Sequence, residues 1–127
     1  MLTVNVSVGE VIDKITILSI KRDRIKDVLA LKNVSAELAM LHDSLENSST
    51  ELDQIKIEWA SLLEVNQQLW EIEDSIRELE SRQEFGDTFV KVARSVYRLN
   101  DERARLKRLI NEKTKSGISE EKSYTTY

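Results

Sequence analysis

A chain of 127 residues with no proline and three glycines has very little turn chemistry to draw on. Strand-rich folds need tight reversals built from those residues, whereas long helices need few. Apolar residues recur at three- and four-residue spacing over long stretches, and charged residues, 33% of the chain, carry both signs interspersed, as on the solvated faces of long helices. The expected fold is therefore all-α. Residues 1–6 form an N-terminal arm. Ser7 and Glu10 make an S-x-x-E capping box, in which hydroxyl and carboxylate each satisfy a free backbone N–H, at the start of a helix over about 8–31. A shorter helix over about 34–46 follows, capped by Asn33 or Ser35. Beyond the loop Asn47-Ser48-Ser49-Thr50, with Ser49 or Thr50 as cap, an elongated antiparallel hairpin joins helices of about 51–82 and 88–115. Its turn is Phe85-Gly86-Asp87, with Asp87 as cap, and Gly117 is its stop. Residues 117–127 are a polar tail of what reads as a single helical domain.

Each hairpin helix spans roughly 40 Å at 1.5 Å per residue and cannot bury its apolar stripe alone. Ile55, Trp59, Leu62, Leu69, Ile72, Ile76 and Leu79 make one stripe; Phe89, Val92, Val96, Leu99, Leu106 and Ile110 make the other. Dimerisation is the expected way to complete the core, so the expected partner of the chain is a second copy.

Composition removes several functions. Cysteine is absent, so disulfides and thiolate chemistry are excluded, and a lone His42 cannot build a histidine zinc site. A net charge of -4 disfavours a generic nucleic-acid binder. No apolar run reaches the length of about 20 residues that a membrane span requires, and the first residues lack the pattern of a signal peptide. A cytoplasmic location without membrane association is the default expectation. Glu71, Glu73, Asp74, Asp101 and Glu102 supply no second matching carboxylate pair for a magnesium site, so neither metal nor cofactor is expected.

The informative positions are polar residues on faces that should be buried. Asn100, Arg103 and Lys107 fall inside the arc of Phe89, Val92, Val96 and Ile110. Asn66 and Glu73 fall inside that of Ile55, Trp59, Leu62 and Leu69. Arg22 lies amid Val11, Ile15, Leu18 and Ile25. On the opposite face of the first helix Glu10, Lys14 and Lys21 form a column that includes Ile17, with Asp13 nearby. Tyr97 lies at the margin of its apolar face. Buried charges need partners, and two readings follow. In one, the cationic surplus of Arg22, Arg103 and Lys107 over Glu73 forms a pocket for a carboxylate or phosphate. In the other, these residues are interhelical ion pairs that fix register, with Glu73 and Arg103 as the natural pair and Arg22 and Lys107 snorkelling outward. Trp59 and Trp70 read as core or interface anchors.

The segments VSVGEVIDKITILSIK (Val6–Lys21), LWEIEDSIR (Leu69–Arg77), FVKVARSVYRLNDERARLK (Phe89–Lys107) and EEKSY (Glu120–Tyr124) together resemble a family of small uncharacterised bacterial and phage proteins, classed as a domain of unknown function. The resemblance covers nearly the whole chain. It marks Gly9, Glu10, Asp13, Lys14, Lys21, Trp70, Glu71, Asp74, Tyr97, Asn100, Asp101, Arg103, Lys107, Glu121, Lys122 and Tyr124 as motif positions. It implies that the tail folds back on the helices or reaches a partner subunit. It implies no activity, although members lie near genes for glycosyltransferases and surface-sugar synthesis.

Two functional expectations result. One is a non-enzymatic helical binding or assembly module, a homodimer whose polar set holds an anionic group. The other is an enzyme acting on a phosphorylated or nucleotide-linked sugar. There Arg103 and Lys107 would bind the anion, Asn100 and Tyr97 would orient it, and Glu10 or Asp13 would transfer the proton.

Overall fold

The computed structural model describes residues 1–117 and 123–127. It is all-helical: α1 (Val8–Arg24), α2 (Val28–Asn47), a short 3₁₀ turn (Asp53–Ile55), α3 (Lys56–Ser81) and α4 (Asp87–Lys113). No strand occurs among the described residues, and no helix there is long and apolar enough to cross a membrane.

Several helix ends differ from those read in the sequence. The Ser7 hydroxyl accepts from the Glu10 amide at 3.1 Å, as the capping motif requires, but the Glu10 carboxylate turns to Lys107. α1 stops at Arg24, not near Leu31, because Ile25 is extended and the Asp27 carboxylate captures the Ala30 amide at 2.8 Å to start α2. Asn33 and Ser35, expected as a break and a cap, lie inside α2. Ser49 and Thr50 do not cap α3, which begins at Lys56 after the 3₁₀ turn. Asp87 is the first residue of α4, and Gly86 precedes it without a side-chain cap.

Three helices terminate without glycine. Ser49, Gln83 and Lys115 adopt positive φ of 59°, 57° and 55° just past the ends of α2, α3 and α4. After α4, the Lys115 amide donates to the Glu112 carbonyl at 3.3 Å and the Ser116 amide to the Asn111 carbonyl at 2.9 Å. Gln83 and Glu84 repeat the pattern onto Glu80 and Leu79. These paired bonds satisfy helix-end carbonyls in a Schellman motif. Lys115 therefore does the work expected of Gly117.

The packing order follows from the contacts. α3 and α4 form the expected antiparallel hairpin. α1 lies along it, antiparallel to α4 and parallel to α3, since Gly9 meets Asn111, Asp13 meets Arg103 and Arg24 meets Glu71. α2 approaches no helix closely except α1, from the other side. α1 is thus covered on two faces and buries Gly9, Ile12, Asp13, Ile15, Thr16, Leu18 and Ile20. The core joins Ile12, Ile15 and Leu18 to Val34 and Leu38 of α2, Leu62 and Val65 of α3, and Leu106 and Ile110 of α4. Beyond α1 the hairpin continues alone. No residue from 67 to 105 is buried, and Ile72, Ile76, Leu79, Phe89, Val92 and Val96 stay half-buried. Phe85 and Phe89 stack edge to face at the tip, 5.3 Å apart.

Candidate functional site

Where α1 crosses the hairpin, a polar network interrupts the apolar core. Gly9 makes the crossing possible. Its amide donates to Asn111 Oδ1 at 2.7 Å, and a Cβ there would lie 2.5 Å from the Lys107 carbonyl oxygen. One turn further on, Asp13 is 1% exposed. Arg103 grips its carboxylate with two parallel bonds, Nε to Oδ1 at 2.8 Å and Nη2 to Oδ2 at 2.5 Å. Asn66 Nδ2 donates to Asp13 Oδ1 at 2.9 Å and to Thr16 Oγ1 at 2.8 Å, and the Thr16 hydroxyl donates to the Asp13 carbonyl at 2.7 Å. Two-pronged guanidinium–carboxylate contact fixes geometry as well as charge.

Burial pushes the Asp13 carboxyl up, but hydrogen bonds from Arg103 and Asn66 and the charges of Arg103 and Lys107 outweigh it. The group is held below its ordinary value and stays ionised. Lys107, whose side chain is 7% exposed, pairs with Glu10 at 2.8 Å. Further along α4, Lys113 donates to the buried Glu58, and this bond holds the Glu58 carboxyl low. The N–H groups that open α1 are also taken, by Ser116 Oγ, Asn111 Oδ1 and Ser7 Oγ. That helix end offers no anion seat.

The open side of the network is a cleft of about 270 Å³ between α1, α3 and α4. Ile17, Ile20, Leu69, Trp70 and Val96 form its apolar walls, and Asn66, Glu73, Asn100 and Arg103 its polar ones. The Arg103 side chain, 31% exposed, joins the buried Asp13 to this space. Beside it the tail returns to α4. The Tyr127 hydroxyl donates to Asp101 Oδ2 at 2.6 Å, its ring lies 5.1 Å from that of Tyr97, and Tyr124 shares a groove with Val96 and Asn100. An Arg94 hydrogen bond lowers the Tyr97 phenol, whereas the bond to Asp101 raises that of Tyr127.

The structure thus brings Glu10, Asp13, Arg103 and Lys107 together, with Asn100 and Glu73 on the cleft. It corrects three readings. Arg22 is exposed beside Asp23, because it lies in the last turn of α1, which stops at Arg24. Glu73 is exposed and bound to Arg77 at 2.7 Å; the partner of Arg103 is Asp13. The expected cationic surplus is accordingly balanced by Asp13 and Glu10. Lys14 is exposed, Lys21 half-buried and Tyr97 largely exposed. Periodicity does not single out Thr16, Glu58 or Asn111; a glycine inside α1, at Gly9, is the one signal in the sequence of a close helix crossing. Glu121 and Lys122 lie outside the described residues. Among the described residues, no three acidic or histidine side chains converge as metal ligands would.

Comparison with protein families matches residues 2–127 to a family of unknown function, DUF6165. Neither the curated proteins nor the solved structures contain a match.

Proposed function

Since the chain belongs to this family of unknown function, which supplies no activity to transfer, we propose that it is a helical binding and assembly module acting as a homodimer. The observation that carries this is the 67–105 stretch. Its apolar seam remains half-buried and none of its residues is buried, although the hairpin projects by roughly 20 Å at 1.5 Å per residue. Two helices with an amphipathic face gain most of their stability from packing, and a second copy supplies the missing face by the same residues. Sedimentation equilibrium tests this. The expected result is a dimer at micromolar concentration that Val92→Lys converts to a folded monomer. A wild-type monomer at those concentrations refutes it.

The cleft at the base of the hairpin is the ligand site in this reading, with Arg103 receiving an anionic group, carboxylate or phosphate. Asp13 locks the guanidinium in one orientation, which lowers the ordering cost of binding. A thermal-shift series with inorganic phosphate, acetate, nucleotides and nucleotide sugars tests it; a specific ligand at 100 times its Kd adds about 2.7 kcal/mol. The alternative of an enzyme acting on a sugar nucleotide is less well supported. Asp13 and Glu10, its proton-transfer candidates, are both held in ion pairs, and Asp13 is sealed from solvent.

A further inference from the structure

The two helices of the projecting hairpin carry opposite charge. From residue 71 to 84, six carboxylates stand against two arginines. Arg24 of α1 pairs with Glu71, and with it counted the α3 side still keeps three negative charges in surplus. From residue 87 to 98, α4 carries Lys91, Arg94 and Arg98 against Asp87 alone, two positive charges in surplus. These two sets do not serve the hairpin that bears them. Glu73 pairs with Arg77, and Glu78 and Glu84 with Arg82, all on the α3 side. Arg94 and Arg98 turn to the Tyr97 hydroxyl. Among the described residues no carboxylate pairs with Lys91, Arg94 or Arg98, and the ion pair that joins α3 to α4 is Lys113 with Glu58, at the far end of the hairpin from its tip.

Resting on the reading that the chain is a homodimer, we propose that the second copy docks with its α3 along α4 and its α4 along α3, on the side of the hairpin turned away from α1. The two-fold axis then runs along the hairpin, and both tips point the same way. At about 100° per residue, Glu71, Asp74 and Glu78 share one exposed face of α3, and Lys91, Arg94 and Arg98 share one exposed face of α4. Both faces turn away from the positions that line the cleft beside α1, Asn66 and Glu73 on α3 and Asn100 and Arg103 on α4. Docking in this way sets an acidic column on a basic one twice, by the same residues. The competing two-fold, across the hairpin, sets α3 on α3 and α4 on α4, and like-charge juxtaposition disfavours it. On the opposite side of the hairpin, the α1 helices of both copies would stand between the two hairpins. The half-buried seam lies along the groove between α3 and α4, so a copy docked over that groove covers it together with the charges.

Two charge-reversed variants of the full chain decide the matter: Lys91→Glu with Arg94→Glu, and Asp74→Lys with Glu78→Lys, all at exposed positions. In sedimentation equilibrium at low ionic strength, each alone should dimerise about tenfold or more weakly than the wild type. Mixed in equal amounts, the two should recover a heterodimer of wild-type strength. The acidic α4 of the first then faces the basic α3 of the second, and the two unaltered helices face each other. If the mixture fails to associate, or either variant alone dimerises like the wild type, this docking is refuted and the homodimer reading stands. A wild-type monomer refutes both. A spin label on Phe85→Cys, in a chain with no other cysteine, reads the alignment without any charge change. The two labels should lie within about two helix diameters of roughly 10 Å each; a longer distance, up to the roughly 40 Å length of α3 for hairpins pointing opposite ways, overturns the tip-to-tip alignment.

Discussion

Replacing Gly9 with alanine tests whether the crossing of α1 over α4 is as close as described. The added Cβ would stand 2.5 Å from the Lys107 carbonyl oxygen and 2.8 Å from Asn111 Oδ1. The second atom belongs to a side chain and can swing; the first is main chain in the middle of a helix. To restore an ordinary contact of about 3.4 Å, α1 must withdraw by about 1 Å. That stretches the 2.7 Å bond from the Gly9 amide to Asn111 and, one turn on, the 2.5 and 2.8 Å bonds between Arg103 and Asp13. Overpacking of this kind costs about 1–3 kcal/mol, and a weakened buried hydrogen bond about 1 kcal/mol more. Alanine returns about 0.5–1 kcal/mol through its better helix propensity. The net loss is roughly 2 kcal/mol, which for a chain of this size lowers Tm by about 8 °C. Gly117→Ala is the control, because no described residue lies within 4 Å of its Cβ and its φ is not positive; it should change stability by less than about 0.5 kcal/mol. Thermal melts followed by circular dichroism at 222 nm, at matched protein concentration, read both. A Gly9→Ala protein that melts with or above the wild type refutes the close crossing.

Asp13→Asn keeps the shape of the network but leaves Arg103 and Lys107 without the central charge. Breaking a buried pair costs about 3–5 kcal/mol, and the partial exposure of Arg103 places the expected loss near the lower end, measurable by urea denaturation. Asp13 and Glu58 both have folded-state carboxyls held low, so the unfolded chain takes up their protons first as pH falls. Their stabilisation is fully present above the unfolded values near 4 and is lost as pH drops through the folded ones, so acid melts should show a steep decline below about pH 4 that Asp13→Asn flattens. Hydrogen exchange should divide the hairpin at the end of α1: amides between residues 72 and 95 should exchange faster on dilution as the proposed dimer separates, while those of Ile12, Ile15 and Ile110 keep their protection. Uniform protection along α3 at every concentration contradicts a hairpin completed by a second copy.

The long hairpin was legible in the sequence because α3 and α4 each carry one apolar stripe that stays in phase for six or more turns. The inward placement of Arg103, Lys107 and Asn66 came from the same arithmetic. α1 defeated it. A single apolar arc presumes one buried face per helix, and α1 has two, against α2 and against the hairpin; Asp13, Thr16 and Ile20 are buried on it all the same. Ile17 among charged neighbours was the visible trace of that second face. The end of α1 was missed because Ile25 and Leu29 keep the helical spacing across the break at Lys26-Asp27, and only the capping chemistry of Asp27 reveals it. Leu29 is in fact 67% exposed. Glu73 was assigned inward because its stripe continues past the point where α1 stops covering it; burial depends on what lies opposite, which periodicity alone does not contain.

The contacts of α1 also bear on how the chain folds as it is made. Its polar groups find their partners at Arg103, Lys107, Asn111 and Ser116, roughly a hundred residues later. At about 5–20 residues per second of synthesis, Asp13 and the first amides of α1 wait several seconds in water for the helix that receives them. α1 and α2 can form a local pair meanwhile, and Asn66 of α3 can then reach Asp13, but its charge stays without Arg103 until α4 is made. Consolidation is therefore a late event, set by the arrival of the last turns of α4, and a ribosome-bound chain stalled before residue 103 should remain loosely assembled however much of its helix has already formed.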